Sequence, residues 1–440
     1  MKKEDEKPKF LSKDQALDEI KNNENNIEDN EEKELVDFKE NIIENKTKKK
    51  HKKKKSKSLF KYKNNLVKNE INEENEKTII EKEIKKKEKI MKKCDPNEYE
   101  MEENLTKSLA NYRADNTFVI FNSVNNILFL VYTCKIKEKN NSIVSYNLID
   151  YKKINEIKNA HNEEITNYRH YLDKINKRDL IISISAKDNN IRLWNIHNVE
   201  FLLSIRNINR IGFLKSACFL NHNNQLYIIS SNYNHSENAD PIKVYDLAGN
   251  KVKEINYENN HTFFIDTYYD QKLSINYIIT GNYGYVKSYD YNNSRKYHKY
   301  KENKHIDNYE HHSAIIIQSE DIIKLIDTSQ NSEIRIWDFH EKELLSKIQI
   351  SDKDYYNLYG ISLLNNQYLF AGCGNTIKLV DLDNEEVIST LTDSNYNVIT
   401  IKTITHPKFG ECLISQDLYE GQIKLWVNKN NKYKYIIDEL

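Results

Sequence analysis

One short phrase recurs along about three-quarters of this 440-residue chain. Its clearest copy reads Ile-Arg-Leu-Trp-Asn, begins at Ile191 and follows a polar turn at residues 188–190. In this copy Ile191 and Leu193 share one face and Arg192 and Trp194 share the other, which is the period of a β-strand. The fourth positions of its seven copies are Tyr146, Trp194, Tyr245, Tyr289, Trp337, Val380 and Trp426, at intervals of 48, 51, 44, 48, 43 and 46 residues. A period in this range is typical of a four-stranded blade repeated around an axis.

These repeats resemble the WD-repeat β-propeller family, whose units end in Trp-Asp and begin near Gly-His. The resemblance covers roughly residues 117 to 440 and implies an all-β, seven-bladed WD-repeat propeller. It indicates a binding platform more than an activity, because a fold by itself does not determine function. With only nine Gly and four Pro in the chain, Asn and Asp are expected to take their places in turns.

The way in which the ring closes is the least determined feature of the predicted propeller. The last outer strand is expected at Tyr433–Asp438, which would pack blade seven on blade one without help from the amino terminus. In many members of the family the amino terminus supplies that strand instead, and the repeats do not choose between the two closures.

Residues 1–104 differ sharply in composition from residues 105–440. The first segment is dominated by Lys, Glu, Asp and Asn, and it cannot bury enough apolar surface to fold alone. Scattered apolar residues between Leu66 and Lys93 permit a charged helix, which Pro96 would end. We therefore expect a disordered or partly helical charged extension over residues 1–104 and the propeller over residues 105–440.

The overall charge and the terminal sequence bear on the compartment. Lys+Arg and Asp+Glu both number 67, so the net charge indicates no partner. The amino terminus lacks the apolar core of a signal peptide, and no apolar run approaches the ~18 residues of a membrane span. Five scattered cysteines without a Cys-x-x-Cys pair indicate free thiols. A protein of the cytoplasm or the nucleus, without a transmembrane segment, is predicted.

Several residues that look catalytic receive a structural role from the resemblance. In WD-repeat proteins His, Ser or Thr, Asp and Trp form a hydrogen-bond network within a blade, with the indole N–H as a donor. The residues concerned are His161, Ser185, Asp188 and Trp194 in blade two, His312, Ser329, Asn331 and Trp337 in blade five, and Trp426 in blade seven. Blade six has Val380 where the other blades have Trp or Tyr, so it is not expected to hold such a network.

The competing interpretation of these residues is a nucleophilic Ser-His-Asp triad. It is disfavoured because the serine belongs in the middle of a strand and no Gly-x-Ser-x-Gly elbow is present. The sequence therefore predicts a protein that is not an enzyme.

No metal or cofactor is predicted. His311 and His312 are adjacent, so on a strand they point to opposite faces, and no Cys stands at a known zinc spacing. The stretch from Gly281 to Gly284 lacks the third glycine and the lysine of a phosphate-binding loop, and it is predicted to be a turn in blade four. The arginines of residues 204–210 are separated, unlike the paired arginines of phosphoinositide-binding propellers.

A basic run at Lys46–Lys57 is the main charged feature of the extension. Its densest part consists of Lys48, Lys49, Lys50, Lys52, Lys53, Lys54 and Lys55. Such a run attracts polyanions through counterion release, and without interleaved aromatic residues it predicts weak, sequence-independent contact with nucleic acid or anionic lipid. A nuclear localisation signal and a solubilising tail are the alternatives.

The main functional prediction is a non-catalytic scaffold or adaptor that binds a protein partner at one rim of the propeller. The loops at residues 232–240 and 299–310 are candidate contacts. The alternative is a regulatory propeller whose basic tail tethers it to nucleic acid or an anionic membrane.

Overall fold

The propeller region is the part of the chain that can be described in detail. The computed structural model describes residues 98–102, 114–135, 141–206, 213–233, 241–255, 262–302, 309–319, 321–351, 358–392, 396–417 and 423–431. The predicted extension up to residue 97 and the predicted strand Tyr433–Asp438 lie outside these ranges.

The described residues form 28 β-strands, which fall into groups of four along the chain. The first fifteen are β1 Tyr99–Met101, β2 Ala114–Asn122, β3 Leu128–Lys135, β4 Asn141–Asn147, β5 Lys152–His161, β6 Ile165–Asp173, β7 Arg178–Ser185, β8 Asn190–Asn195, β9 Glu200–Arg206, β10 Phe213–His222, β11 Gln225–Tyr233, β12 Ile242–Tyr245, β13 Lys251–Ile255, β14 Phe264–Asp270 and β15 Ile275–Asn282. The others are β16 Tyr285–Asp290, β17 Tyr297–Tyr300, β18 His311–Gln318, β19 Ile323–Ser329, β20 Glu333–Asp338, β21 Leu344–Gln349, β22 Leu358–Leu363, β23 Tyr368–Cys373, β24 Thr376–Asp381, β25 Glu386–Leu391, β26 Val398–His406, β27 Gly410–Asp417 and β28 Ile423–Asn428.

The strands form seven four-stranded antiparallel sheets, one for each blade. Blades one to six each use four consecutive strands, beginning with β2–β5, and blade seven consists of β26, β27, β28 and β1. The first strand of each blade contacts the first strands of both neighbouring blades, so these seven strands form an inner ring around a central channel. The predicted seven-bladed propeller is confirmed. The repeated phrase forms the third strand of every blade, as its alternation predicts.

The ring is closed by the amino-terminal strand β1. Its residues pair antiparallel with β28, with Tyr99 opposite Asn428 and Met101 opposite Trp426. The Tyr99 ring also packs edge-on against Phe370 of blade six, with centroids 5.2 Å apart. The expected closure by Tyr433–Asp438 is therefore wrong, and the propeller begins before the predicted boundary at residue 105. A three-residue strand held by main-chain hydrogen bonds is too short to produce a recognisable apolar pattern.

Apolar packing between adjacent blades forms the core. Each of the seven interfaces between neighbouring sheets has its own buried apolar cluster. In blade two, Ile191 and Leu193 pack toward blade three, whereas Trp194 packs toward blade one. The two faces of the repeated phrase thus serve the two neighbours of a blade, which explains why the phrase recurs so regularly.

Turns depend on asparagine more than on glycine, as the composition predicts. Twelve non-glycine residues in the described ranges have positive φ, and five of them are asparagines. The predicted turn in blade four is present, with Gly284 at φ 71° between β15 and β16. Gly281 has a different role, because a Cβ there would lie 2.3 Å from the His311 carbonyl oxygen of blade five. Glycine at this position lets the two blades approach closely.

Candidate functional site

Blade two contains the hydrogen-bond network that the resemblance implies. Nε2 of His161 lies 2.8 Å from the hydroxyl of Ser183, and the indole N–H of Trp194 donates to the same hydroxyl at 2.8 Å. Nδ1 of His161 faces Asp188 at 3.4 Å. Burial lowers the pKa of His161, so the imidazole is neutral near pH 7. The network joins the end of blade one's outer strand to two strands of blade two.

The bridging serine is Ser183, and the predicted Ser185 is not part of the bridge. Ile181 lies opposite Trp194 in the ladder, so Ser183 is two residues along on the same face, within diagonal reach of the indole. Ser185 lies two residues further along the strand, next to the turn. Strand alternation allows both serines, and only the register distinguishes them.

Blade five forms a different version of this network. Nδ1 of His311 lies 2.8 Å from Asp327, and the indole N–H of Trp337 donates to the other oxygen of the same carboxylate at 2.5 Å. A guanidinium nitrogen of Arg335 lies 3.4 Å from Nε2 of His311. Asp327 pairs with Arg335 as Ser183 pairs with Arg192, so an aspartate replaces the serine at the bridging position.

The prediction that His312 is the histidine of the blade-five network is therefore wrong, because His311 occupies that position. Its Nε2 lies 3.3 Å from Glu310, and its ring packs against Tyr359 with centroids 4.9 Å apart. Ser329 and Asn331 do hydrogen-bond to each other, and Asn331 donates to Glu333 at 2.6 Å. This second group stabilises the turn between β19 and β20 and does not include the indole of Trp337.

The remaining predicted tryptophan, Trp426, donates its indole N–H to Ser415 at 2.8 Å in blade seven. Its position repeats the pairing of Trp194 with Ser183. In blade six Val380 and Ala371 occupy the two corresponding positions, and both are fully buried. Blade six therefore lacks the network, as its sequence predicts.

These networks suit a structural role better than a catalytic one. The bridging groups Ser183 and Asp327 have no solvent-exposed surface. Each accepts a hydrogen bond from a tryptophan on the neighbouring strand. A buried group that accepts a hydrogen bond from the neighbouring strand helps to hold the two strands together.

An accessible site is found at one rim of the propeller. We call the rim formed by the turns between the first and second strands of the blades, together with the turns between the third and fourth strands, the lower rim. Its first set of turns comprises residues 123–127, 174–177, 223–224, 271–274, 319–322, 364–367 and 407–409. Apart from residue 320, these turns all lie in the described ranges.

Two of these turns present apolar residues to solvent. In blade two, Asp173 accepts hydrogen bonds from Asn176 and from Nε of Arg178, and Ile175 at the tip is 85% exposed. In blade four, Asp270 accepts a hydrogen bond from the main-chain N–H of Leu273, which is 52% exposed. Aspartate-anchored turns of this kind hold their tips in one conformation.

A polar cleft of about 510 Å³ lies between blades three and four, next to the second of these turns. It is lined by Asn221, His222, Asn223, Asn224, Tyr269, Ser274, Asn276 and Asn292. None of these side chains is charged at neutral pH, since burial and the nearby Lys253 both lower the pKa of His222. The cleft offers amide and hydroxyl groups, with the half-exposed ring of Tyr269 beside them.

Hydrogen bonds between blades make this part of the rim a continuous surface. Asn276 of blade four lies 3.0 Å from Nδ1 of His222 in blade three. Asn221 of blade three donates to the hydroxyl of Tyr171 in blade two at 3.0 Å. The turns of blades two, three and four are thereby joined side by side.

The first-to-second-strand turns of blades two and four are also basic. Lys174, Lys177 and Lys272 are exposed there. The carboxylates of the two aspartates in these turns already contact basic side chains. Asp173 lies 2.8 Å from Arg178, and Asp270 lies 3.1 Å from His340. The surface therefore combines apolar tips, a neutral polar cleft and positive charge. Nothing in the sequence pattern had indicated it, although an apolar residue inside a polar turn, as at Ile175, is a usable signal.

Some predicted sites fall outside the described residues. These are the basic run Lys46–Lys57 and most of the two candidate loops, at residues 234–240 and 303–308. In the ranges that can be described, no cluster of His, Cys, Asp and Glu suits a metal ion. The same ranges contain no helix with the length and apolar character that crossing a membrane requires.

Comparison with known proteins does not assign the chain to a family. No protein-family model matches it, and no curated protein matches it significantly.

Proposed function

We propose that this chain is a non-catalytic propeller of the WD-repeat type that binds a protein partner at its lower rim. The WD-repeat assignment is supported by the networks around Trp194, Trp337 and Trp426, in which each indole donates to a polar group on the neighbouring strand. A scaffold or adaptor role follows from a closed, rigid ring that carries an accessible binding surface.

The observation that carries this proposal is that two turns of one rim have exposed apolar tips, Ile175 in blade two and Leu273 in blade four, with the second tip next to Ser274 of the polar cleft. Ile and Leu are among the residues most often buried in folded proteins, and here two of them are exposed on turns of the same rim. Here both tips are held by hydrogen-bonded turns, so a partner that covers them loses little conformational entropy on their side of the interface.

The side chains of the lower rim indicate what kind of polypeptide segment would bind there. Apolar tips favour a segment with leucine-like or aromatic side chains, and the amides of the cleft favour main-chain or neutral polar groups. The lysines at positions 174, 177 and 272 favour acidic residues flanking that segment. The proposed partner is therefore a polypeptide segment in which acidic and apolar residues are mixed.

A photo-crosslinking amino acid placed at Leu273 tests the proposal in cells. The control position is Tyr396, which is 38% exposed in the connection between β25 and β26, at the opposite rim. We expect position 273 to crosslink to a partner through an acidic and apolar segment identified by mass spectrometry, and position 396 not to do so.

Charge substitution at the tips gives the second half of the test. For this test the photo-crosslinking amino acid is moved to Tyr269, which lines the cleft. Ile175→Glu with Leu273→Glu should abolish the crosslink to the partner from position 269, whereas Tyr396→Glu should preserve it. Equal crosslinking from positions 273 and 396, or a crosslink from position 269 that survives the double substitution, contradicts the lower-rim proposal. Crosslinking only to another copy of the chain would replace the partner with self-association.

The alternative function, a tether through the basic run Lys46–Lys57, stays a prediction. It is independent of the lower rim, because the run lies in a different part of the chain.

A further inference from the structure

The central channel contains a group of charges that the scaffold function does not require. Arg169 on β6, Asp266 on β14 and Lys402 on β26 belong to the inner strands of blades two, four and seven. No two of these blades are neighbours in the ring. Side chains on inner strands of non-adjacent blades can face each other only across the channel.

The strand register places these three residues at one level. In blade two the bridging residue Ser183 pairs with Tyr168 of the inner strand, and Arg169 is the next residue along that strand. The same relation holds for Asp266 in blade four and for Lys402 in blade seven. In the other four blades this level is occupied by Val119, Cys218, Ile315 and Ser362, which are uncharged. The layer therefore contains two cations and one anion.

The three charges interact without touching. Water reaches the side chain of Lys402, but protein surrounds it, and this enclosure lowers its pKa. Arg169 lowers that pKa further and Asp266 raises it, so all three groups lie within electrostatic range of each other. Among the described residues, neither Arg169 nor Lys402 forms an ion pair with a carboxylate.

The guanidinium of Arg169 is held in place by neutral groups. It donates to the side-chain oxygen of Asn167 at 2.8 Å and to its own strand at the Tyr168 carbonyl, 3.1 Å away. Both acceptors are uncharged, so they orient the guanidinium and leave its charge uncompensated. Two cations that face the same channel and repel each other attract an anion into the space between them.

From this arrangement we propose that the central channel binds an oxyanion, a phosphate or a carboxylate group, between Arg169 and Lys402. Arg169 supplies oriented N–H donors, and Lys402 supplies an ammonium from blade seven, on the other side of blade one. Asp266 faces the same space and weakens the binding by repulsion, which favours a ligand of low negative charge. This site is separate from the lower rim and does not depend on the function proposed there.

The experiment uses the full chain and two probes, inorganic phosphate and acetate, at constant ionic strength maintained with chloride. Thermal unfolding is followed during a titration with each anion, so that the apparent affinity comes from the rise in Tm. We expect phosphate, acetate or both to raise the Tm of the wild type. A rise with phosphate alone identifies a phosphate site, and a rise with acetate as well identifies a site for carboxylates.

Three channel variants make the prediction specific. Arg169→Gln and Lys402→Gln should each weaken the anion about tenfold or more, the usual effect of losing one charged hydrogen bond. Asp266→Asn should strengthen it about threefold or more, because repulsion is removed. Lys158→Gln, which removes an exposed lysine from β5, the outer strand of blade one, is the matched control and should change nothing.

The Tm of each variant without added anion shows that it is folded before affinities are compared. The proposal is overturned if neither anion raises the Tm of the wild type. It is also overturned if Lys158→Gln weakens anion binding as much as Lys402→Gln does, since the effect then reflects general surface charge. Unchanged affinity in Asp266→Asn would exclude binding at this level of the channel.

Discussion

Blades five and six have the same strand arrangement, but matching buried positions hold polar side chains in blade five and apolar side chains in blade six. In blade five, His311, Asp327 and Trp337 form a buried polar network. At the three matching positions of the strand ladders, blade six has Leu358, Ala371 and Val380. All six side chains are 1% exposed or less. The two blades nevertheless have the same four strands in the same order.

The difference between these blades shows that the network is not required to form a blade. Replacing every member of a buried polar group by apolar residues removes both the hydrogen bonds and the cost of burying the polar atoms, so the net change is small. Removing only one member leaves its partners buried and unpaired, which is expensive. Blade five should therefore be sensitive to single substitutions that blade six tolerates.

The largest expected effect comes from Trp337→Ala. This change deletes a large buried aromatic side chain and leaves Asp327 without its indole donor, so we expect a loss of about 3–5 kcal/mol in the free energy of unfolding. The comparison variant is Val380→Ala in blade six, which removes two buried methyl groups and should cost about 1.5–2 kcal/mol. Urea unfolding of both variants measures the difference. Equal losses would mean that the tryptophan contributes no more than local packing.

The second prediction separates the network from its packing. Asp327→Ala removes the acceptor of both His311 and Trp337. At about 1–2 kcal/mol for each unsatisfied group, we expect a loss of about 2–4 kcal/mol. The double variant with His311→Leu brings two positions to the chemistry of blade six and should be less destabilised than the sum of the two single changes. A double-mutant cycle measures the coupling. Strict additivity would show that the two side chains act independently.

The smallest expected effect concerns pH and blade two. Burial lowers the pKa of His161 below its unfolded value, so the folded chain binds fewer protons there than the unfolded chain. The stability from this group is complete above about pH 6.5 and declines as the pH falls below that value. Melting curves between pH 7.5 and 5.5 should show a lower Tm at the acid end, and His161→Asn should have a shallower slope. The slope should not vanish, because burial also lowers the pKa of His222 and His406. An equal slope in the variant would contradict a neutral His161 in the network.

Much of the fold could be predicted because it is encoded locally. The alternation in phrases such as Ile191–Asn195 specifies a strand with two buried faces, and its repetition specifies the number of blades. The absence of the network from blade six was also visible in the sequence, since Val380 offers no hydrogen-bond donor. The choice between Ser183 and Ser185, or between His311 and His312, depends on the strand register. Register is set by contacts with the next strand, which the sequence of one strand does not contain.

By itself, the sequence determined that seven similar β-units follow one another, because each unit contains the apolar pattern of its own strands. Tertiary structure alone decided how the ring closes, since the pairing of Tyr99–Met101 with Ile423–Asn428 joins segments more than 320 residues apart through main-chain groups that every residue possesses. It also decided which side chains meet. Arg169, Asp266 and Lys402 are far apart in the chain, and only the closed ring places them around one channel, where the charges of Arg169 and Asp266 act on Lys402.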